Sequence, residues 1–300
     1  MNTRNTENFL IIIFLFIGSA LTAQNKLKVL IAVDMEGIAG VVTEEQLGPS
    51  GFEYQRFREF MTNEALAAVE GAKLGGATEI VVADSHGNGQ NLLIERFPED
   101  VQIVRSWPRR FGMMGGLDDS FDAVMMIGYH SSTNNLEGVR AHTFSSARLT
   151  DVKINGKSVS EGTYAAMLTG HFNIPVVLIT GDNVATAEVQ TLVPDIETAV
   201  VKEAYGFHSA KTFTPARAVK LIRDKAALAM KKVKSIKPIK LVGPITFDVS
   251  FKNYRPVEAL KYLSIVERID SHTIRFIGKN MIEVADFRTF LLEYNSNLAP

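Results

Sequence analysis

The chain has 300 residues, with 32 basic and 33 acidic side chains, no cysteine and an apolar content of 46%. Balanced charge without a long single-sign block gives no mark of a nucleic-acid surface or a polybasic membrane patch, and points to a small-molecule partner. The lack of cysteine excludes disulfides, thiolate ligands and a cysteine nucleophile.

At the amino terminus Arg4 precedes an apolar run over residues 9–17, and the small residues Ser19, Ala20 and Ala23 follow it. This is the layout of a secretory signal peptide over residues 1–23, the run being shorter than the ~20 residues a spanning helix needs. No cysteine follows the run, so a lipoprotein anchor is excluded. The expectation is a secreted or periplasmic protein with no stable membrane association once the leader is removed. Residues 24–300 are long enough for one large α/β domain or two smaller ones sharing an interface.

Short apolar runs at residues 29–33, 80–83 and 124–127 read as parallel strands buried on both faces. Between the first two, residues 53–74 place Phe57, Phe60, Met61, Ala65, Ala68 and Ala72 at helical spacing, and Gly75-Gly76 closes the helix. The order is a βαβ unit with a right-handed crossover. A further strand is expected at 101–104. Asn155-Gly156, between Lys153-Ile154 and Lys157-Ser158-Val159, is a strong hairpin signal and places Glu161 just beyond a hairpin arm. A helix at 164–171, a strand at 175–180 and a helix at 184–192 continue the alternation. Pro215 opens a helix running to about residue 233; a strand at 245–251, a helix at 256–263, a strand at 272–277 and a helix at 281–294 complete the chain. The expected fold is α/β, a mainly parallel sheet flanked by helices, with a smaller C-terminal α/β subdomain. A metal-binding catalytic domain is expected over residues 24–205 and the subdomain over 206–300, which offers no readable chemistry.

Asp34 and Glu36 leave the first strand, Asp84 and His86 the second, and His130 the third. Ligands gather at the carboxyl ends of parallel strands. Carboxylates and imidazoles delivered to one rim suit a divalent metal, since both are good zinc donors. Individually each residue has a plainer reading: Asp34 capping a turn, Glu36 and His86 solvated. Their recurrence at matching strand ends favours the metal. Asp84 is a candidate acceptor orienting an imidazole, and His142, twelve residues beyond His130, turns back toward the same rim. His171 is expected at a helix end near its carbonyls, His208 in a solvated loop or lining a substrate cleft, and His272 at a strand start. No dinucleotide fingerprint, Walker lysine or G-x-S-x-G elbow is present.

At these residues the chain resembles the M55 peptidases, the D-aminopeptidase family. Asp34-Met35-Glu36-Gly37, Asp84-Ser85-His86, Gly128-Tyr129-His130, Ala141-His142-Thr143 and Ile154-Asn155-Gly156 leading to Glu161 occur in the family's order, and similarity extends from Lys28 to near the carboxyl end. The resemblance implies two zinc ions per subunit, with Asp34 bridging them, Glu36 and Glu161 holding one and His86 and His130 the other. It implies His142 as the catalytic residue, nucleophile or proton carrier, of which the proton role is the more economical because zinc already activates water. The implied reaction removes an N-terminal D-residue, such as D-Ala, from short peptides or amides. Family members are similar in forming homo-oligomeric rings with an interior chamber. Two other readings stay open: a periplasmic solute-binding protein, which fits a leader plus two α/β lobes, and a metal-dependent amidohydrolase acting on a non-peptide amide. A solute-binding cleft is normally lined by aromatic and neutral polar groups, which leaves His86, His130 and Glu161 unexplained.

Overall fold

A computed structural model describes residues 26–294. The proposed leader at 1–23 lies outside them. Among the described residues no helix is long and apolar enough to cross a membrane.

The apolar runs form the expected strands. In chain order the elements are β1 (Lys28–Val33), α1 (Tyr54–Leu74), β2 (Glu79–Asp84), β3 (Val101–Val104), β4 (Ala123–Tyr129), β5 (Leu149–Ile154), β6 (Lys157–Ser158), α2 (Glu161–His171), β7 (Val176–Asp182) and α3 (Asn183–Leu192). There follow β8 (Glu197–Gly206), β9 (Ser209–Thr212), α4 (Pro215–Lys231), β10 (Ile245–Phe251), α5 (Arg255–Leu260), β11 (Val266–Arg268), β12 (Thr273–Gly278) and α6 (Met281–Glu293). Strands β8, β9 and β11 were not expected from the sequence.

Seven strands make the main sheet in the order β3-β2-β1-β4-β7-β8-β9, parallel except for the β8–β9 hairpin. The connection from β1 runs toward β2 and β3, whereas β4 lies on the other side of β1, so the winding reverses between β1 and β4. Right-handed crossovers in opposite directions put helices on both faces: α1 packs on α4, and α2 on α3. Strands covered on both faces must be apolar throughout, and β4 and β7 are buried along their whole lengths.

The second sheet is antiparallel, in the order β11-β12-β10-β5-β6. Its β5–β6 hairpin turns at Asn155-Gly156, where Asn155 N–H donates to the Thr246 carbonyl and its side chain accepts from Thr246 N–H, both at 2.9 Å. A lone hairpin is marginal, and β10 supplies the neighbour. The expected division after residue 205 falls in the β8–β9 hairpin, and the second sheet draws strands from both sides of it. Helix α6 lies between this sheet and α2, which carries its side chains toward the strand ends of the main sheet.

Candidate metal centre

The reversal between β1 and β4 opens a crevice at the carboxyl ends of β2, β1 and β4, and Asp34, His86 and His130 arrive there from adjacent strands. The turn after β1 is tied to β4: Asp34 N–H donates to the Ile127 carbonyl at 2.8 Å and Gly37 N–H to that of Gly128 at 2.7 Å. Gly128 sits at φ +72°, and a Cβ there would lie 2.3 Å from the Asp34 carbonyl oxygen. Only glycine allows the two turns to approach this closely.

The loop carrying His86 is braced from within. Asp84 accepts from Asn91 N–H (2.6 Å), Leu92 N–H (2.7 Å) and the Asn91 amide (2.8 Å), and the same amide group donates to the His86 carbonyl at 2.6 Å. Asp84 therefore shapes the loop backbone and does not orient an imidazole, as its sequence position had suggested. Glu161 is the first residue of α2, behind the Ser160 cap, where the helix dipole favours a carboxylate.

Five of the six candidate residues, Asp34, Glu36, His86, His130 and Glu161, are buried together; His142 borders them, 15% exposed at its side chain. His86 Nδ1 lies 2.9 Å from Glu36 Oε2 and 3.2 Å from Asp34 Oδ1, while Nε2–H donates to the Leu47 carbonyl at 2.7 Å. His130 Nε2 lies 3.4 Å from Asp34 Oδ2 and 3.3 Å from Glu161 Oε2, while Nδ1–H donates to the Ser131 carbonyl at 3.1 Å. Each ring thus spends one nitrogen on a backbone carbonyl and turns the other to the carboxylates, the arrangement that fixes the tautomer of a metal-binding imidazole. His142 does likewise: Nδ1–H donates to the Arg140 carbonyl at 2.8 Å, and Nε2 faces Glu161 Oε1 at 3.8 Å.

The donor atoms lying within 4.8 Å of one another form three groups, Asp34–Glu36–His86, Asp34–His130–Glu161 and Glu36–His130–His142. Asp34 is common to the first two, each of which contains one imidazole and one further carboxylate. Three buried carboxylates in one place need compensating positive charge. Burial, then the Glu36 charge, pushes Asp34 up to about 6. Burial also acts upward on Glu36, but the charge and hydrogen bond of His86, together with the charges of His130 and His142, hold that carboxyl well below its usual range. For His86 and His130 burial acts downward and is overcome by Glu36 and Glu161 respectively, each acting together with Asp34, so both imidazoles sit well above their ordinary value. Burial and then the His130 charge push His142 below it. Asp34 Oδ2 and His130 Nε2 are buried and have no hydrogen-bond partner. A divalent cation between them would satisfy both, and the carboxylate and imidazole set suits zinc.

Of the remaining histidines, His208 is exposed in the β8–β9 turn, His171 is exposed at the end of α2, and His272 directs Nδ1 at the Phe251 carbonyl, 3.0 Å away. None joins the cluster. Two residues that the sequence did not single out support it. Lys202, buried on β8, donates from Nζ to the carbonyls of Glu36, Ile38 (3.1 Å) and Val41 (2.7 Å). Glu64, buried on α1, accepts from Ala39 N–H at 2.9 Å. Together they clamp the loop that presents Glu36. No local pattern marks either one, because both act on backbone atoms distant in sequence.

A cavity of about 500 Å³ opens over the cluster, reached by Asp34, Glu36, His86, His142 and Glu161. This is the size of a small-ligand site.

Comparison with known proteins agrees with this geometry. The sequence matches the Peptidase M55 family, described as D-aminopeptidase, over residues 27–290. It is 30% identical over 258 residues to the D-aminopeptidase of Bacillus subtilis strain 168, spanning 86% of this chain and 93% of that protein. The fold is similar to the solved structure of the zinc-dependent D-aminopeptidase DppA of Bacillus subtilis, a self-compartmentalizing protease, with a TM-score of 0.84, 29% identity, and coverage of 90% of this chain and 99% of that one. The chain belongs to the M55 peptidase family, the D-aminopeptidases.

Proposed function

We propose that this protein is an exported aminopeptidase using two zinc ions per subunit to remove an N-terminal D-residue, D-Ala among them, from short peptides. The observation that carries the reading is Asp34, whose two carboxylate oxygens face two different imidazoles, so that one side chain belongs to two donor groups. The family match and the zinc dependence of the Bacillus relative support it.

Asp34 would be shared between the ions, with Glu36, His86, His130 and Glu161 completing the two sets. When bound, zinc supplies Lewis acidity toward the scissile carbonyl and the attacking water. The remaining acid-base work falls to His142. Its Nδ1–H is committed to the Arg140 carbonyl, which leaves the Nε2 lone pair at the cavity. There it accepts a proton from the attacking water and returns it to the leaving amine.

Export rests on the leader read in residues 1–23, and a ring assembly on the self-compartmentalizing relative. For an exported enzyme, D-alanyl fragments of the cell wall are the natural substrates. The test is turnover of D-Ala-D-Ala, its L,L counterpart and non-peptide amides by the zinc-loaded protein. Cleavage confined to substrates with an N-terminal D-residue is expected; cleavage of non-peptide amides alone would replace this reading with an amidohydrolase, and binding without turnover with a solute-binding protein.

A further inference from the structure

Among the described residues, one buried cation borders the cavity without a partner. Arg288, on α6, is 7% exposed and lines the cavity alongside His142, Phe144 and Glu161. Its guanidinium lies over the Phe144 ring, 4.3 Å from the centroid. Its Nη1 rests against Gly112, a residue at φ +55° where a Cβ would come within 2.1 Å of that nitrogen. Nε is buried with no hydrogen-bond partner, and among the described residues no carboxylate lies within the 4.0 Å of an ion pair.

The other cavity arginines are committed elsewhere. Arg140 pairs with Glu44 and stacks on Phe207, and Arg148 donates to the Leu292 carbonyl at 3.1 Å. Glu293 also borders the cavity but makes no ion pair with Arg288. A guanidinium stays protonated even where burial lowers its pKa, as it does here. A buried charge without an acceptor costs free energy that packing alone does not recover, so a fork of this kind, fixed on an aromatic face and a glycine, is shaped for an anion that arrives with the ligand.

We infer that Arg288 binds the free terminal carboxylate of the peptide, making the enzyme selective for very short peptides with an unblocked carboxyl end. The inference rests on the aminopeptidase reading and extends it to the other end of the substrate. The cavity then engages the substrate at both ends, its scissile bond at the Asp34 cluster and its terminal carboxylate at the Arg288 guanidinium. Bidentate pairing of guanidinium with carboxylate adds geometric selection to attraction. A blocked or amidated end leaves Arg288 unpaired, and a charge-assisted bond of this kind is worth on the order of tenfold or more.

The experiment compares kcat/KM for D-Ala-D-Ala and D-Ala-D-Ala amide, which share the scissile bond, in the zinc-loaded wild type, Arg288→Gln and Arg288→Lys, with zinc content measured for each. The wild type should prefer the acid by at least about tenfold, chiefly in KM. Arg288→Gln should collapse that ratio, and Arg288→Lys, which keeps charge without the fork, should fall between. Equal turnover of the two substrates by the wild type, or an unchanged ratio in Arg288→Gln, overturns the inference. If Arg288→Gln does not fold, the wild-type ratio and Arg288→Lys decide. Should the wild type cleave neither substrate, the aminopeptidase reading fails by itself; calorimetric binding of the two compounds then decides Arg288, tighter binding of the acid supporting it and equal binding refuting it.

Discussion

The imidazoles of His130 and His142 stack with centroids 4.0 Å apart and planes 13° from parallel. Positive charge at His130, whether a proton or a coordinated cation, therefore opposes protonation of His142, which burial already disfavours. His142 is held neutral and able to accept a proton at neutral pH. Since falling pH removes that ability, activity should decline only below the ordinary imidazole value of about 6.5. His142→Gln should lower kcat about 10²- to 10³-fold and erase this acid limb while keeping its zinc. A pH–rate profile with zinc analysis checks both, and an acid limb at or above the ordinary imidazole value would count against the role.

On the two-zinc reading, zinc and protons would compete for the same nitrogens of His86 and His130. Neighbouring carboxylates hold His86 and His130 well above their usual value against the opposing effect of burial, so protons are favoured on nitrogens that coordination needs free. Zinc affinity should rise with pH, and calorimetric titration in buffers of differing ionisation enthalpy should show proton release. The linkage on folding has the opposite sign. A raised imidazole pKa stabilises the zinc-free fold fully below about 6.5, and the contribution is lost as pH rises through the folded-state value. The zinc-free Tm should fall from neutral to alkaline pH, with zinc removing most of that slope. Zinc binding without proton release would contradict the account.

Lys202 holds three carbonyls of the turn that presents Glu36. Replacing it with Met leaves the buried Glu36 and Val41 carbonyls without this donor, while Ile38 keeps only the Val41 N–H. Lys202→Met should cost on the order of 3 kcal/mol in denaturant unfolding of the zinc-free protein. It should also weaken zinc binding, because Glu36 is no longer fixed. A variant as stable as the wild type would show the clamp to be idle.

Gly128→Ala should be more damaging than its size suggests. The position combines φ +72° with a Cβ placed 2.3 Å from the Asp34 carbonyl, so relief requires moving the turn that carries Asp34. Loss of zinc retention together with a lowered Tm is expected, and a variant with normal zinc content would mean that the turn yields elsewhere.

Much of the fold was legible because strands covered on both faces must be apolar: residues 29–33, 80–83 and 124–127 announce β1, β2 and β4. The Asn155-Gly156 turn announced the hairpin before Glu161. Strand β8 was missed because its apolar stretch is confined to Ala199–Val201 and is followed by two charged residues, the buried Lys202 and the exposed Glu203. At the site, the residues visible in the sequence are those that follow a strand end or a turn. Lys202, Glu64 and Arg288 were invisible because each acts across the fold, Lys202 on carbonyls more than 160 positions away. The carboxyl-terminal region seemed devoid of chemistry for the same reason: α6 reaches the cavity only once it packs between α2 and the second sheet.

The shared position of Asp34 is the centre of the account, and metal stoichiometry tests it most directly. After zinc loading and exhaustive dialysis, elemental analysis should find two zinc ions per chain in the wild type and essentially none, with no activity, in Asp34→Ala. A wild type that retains no zinc, or an Asp34→Ala variant that keeps the full complement, would contradict it.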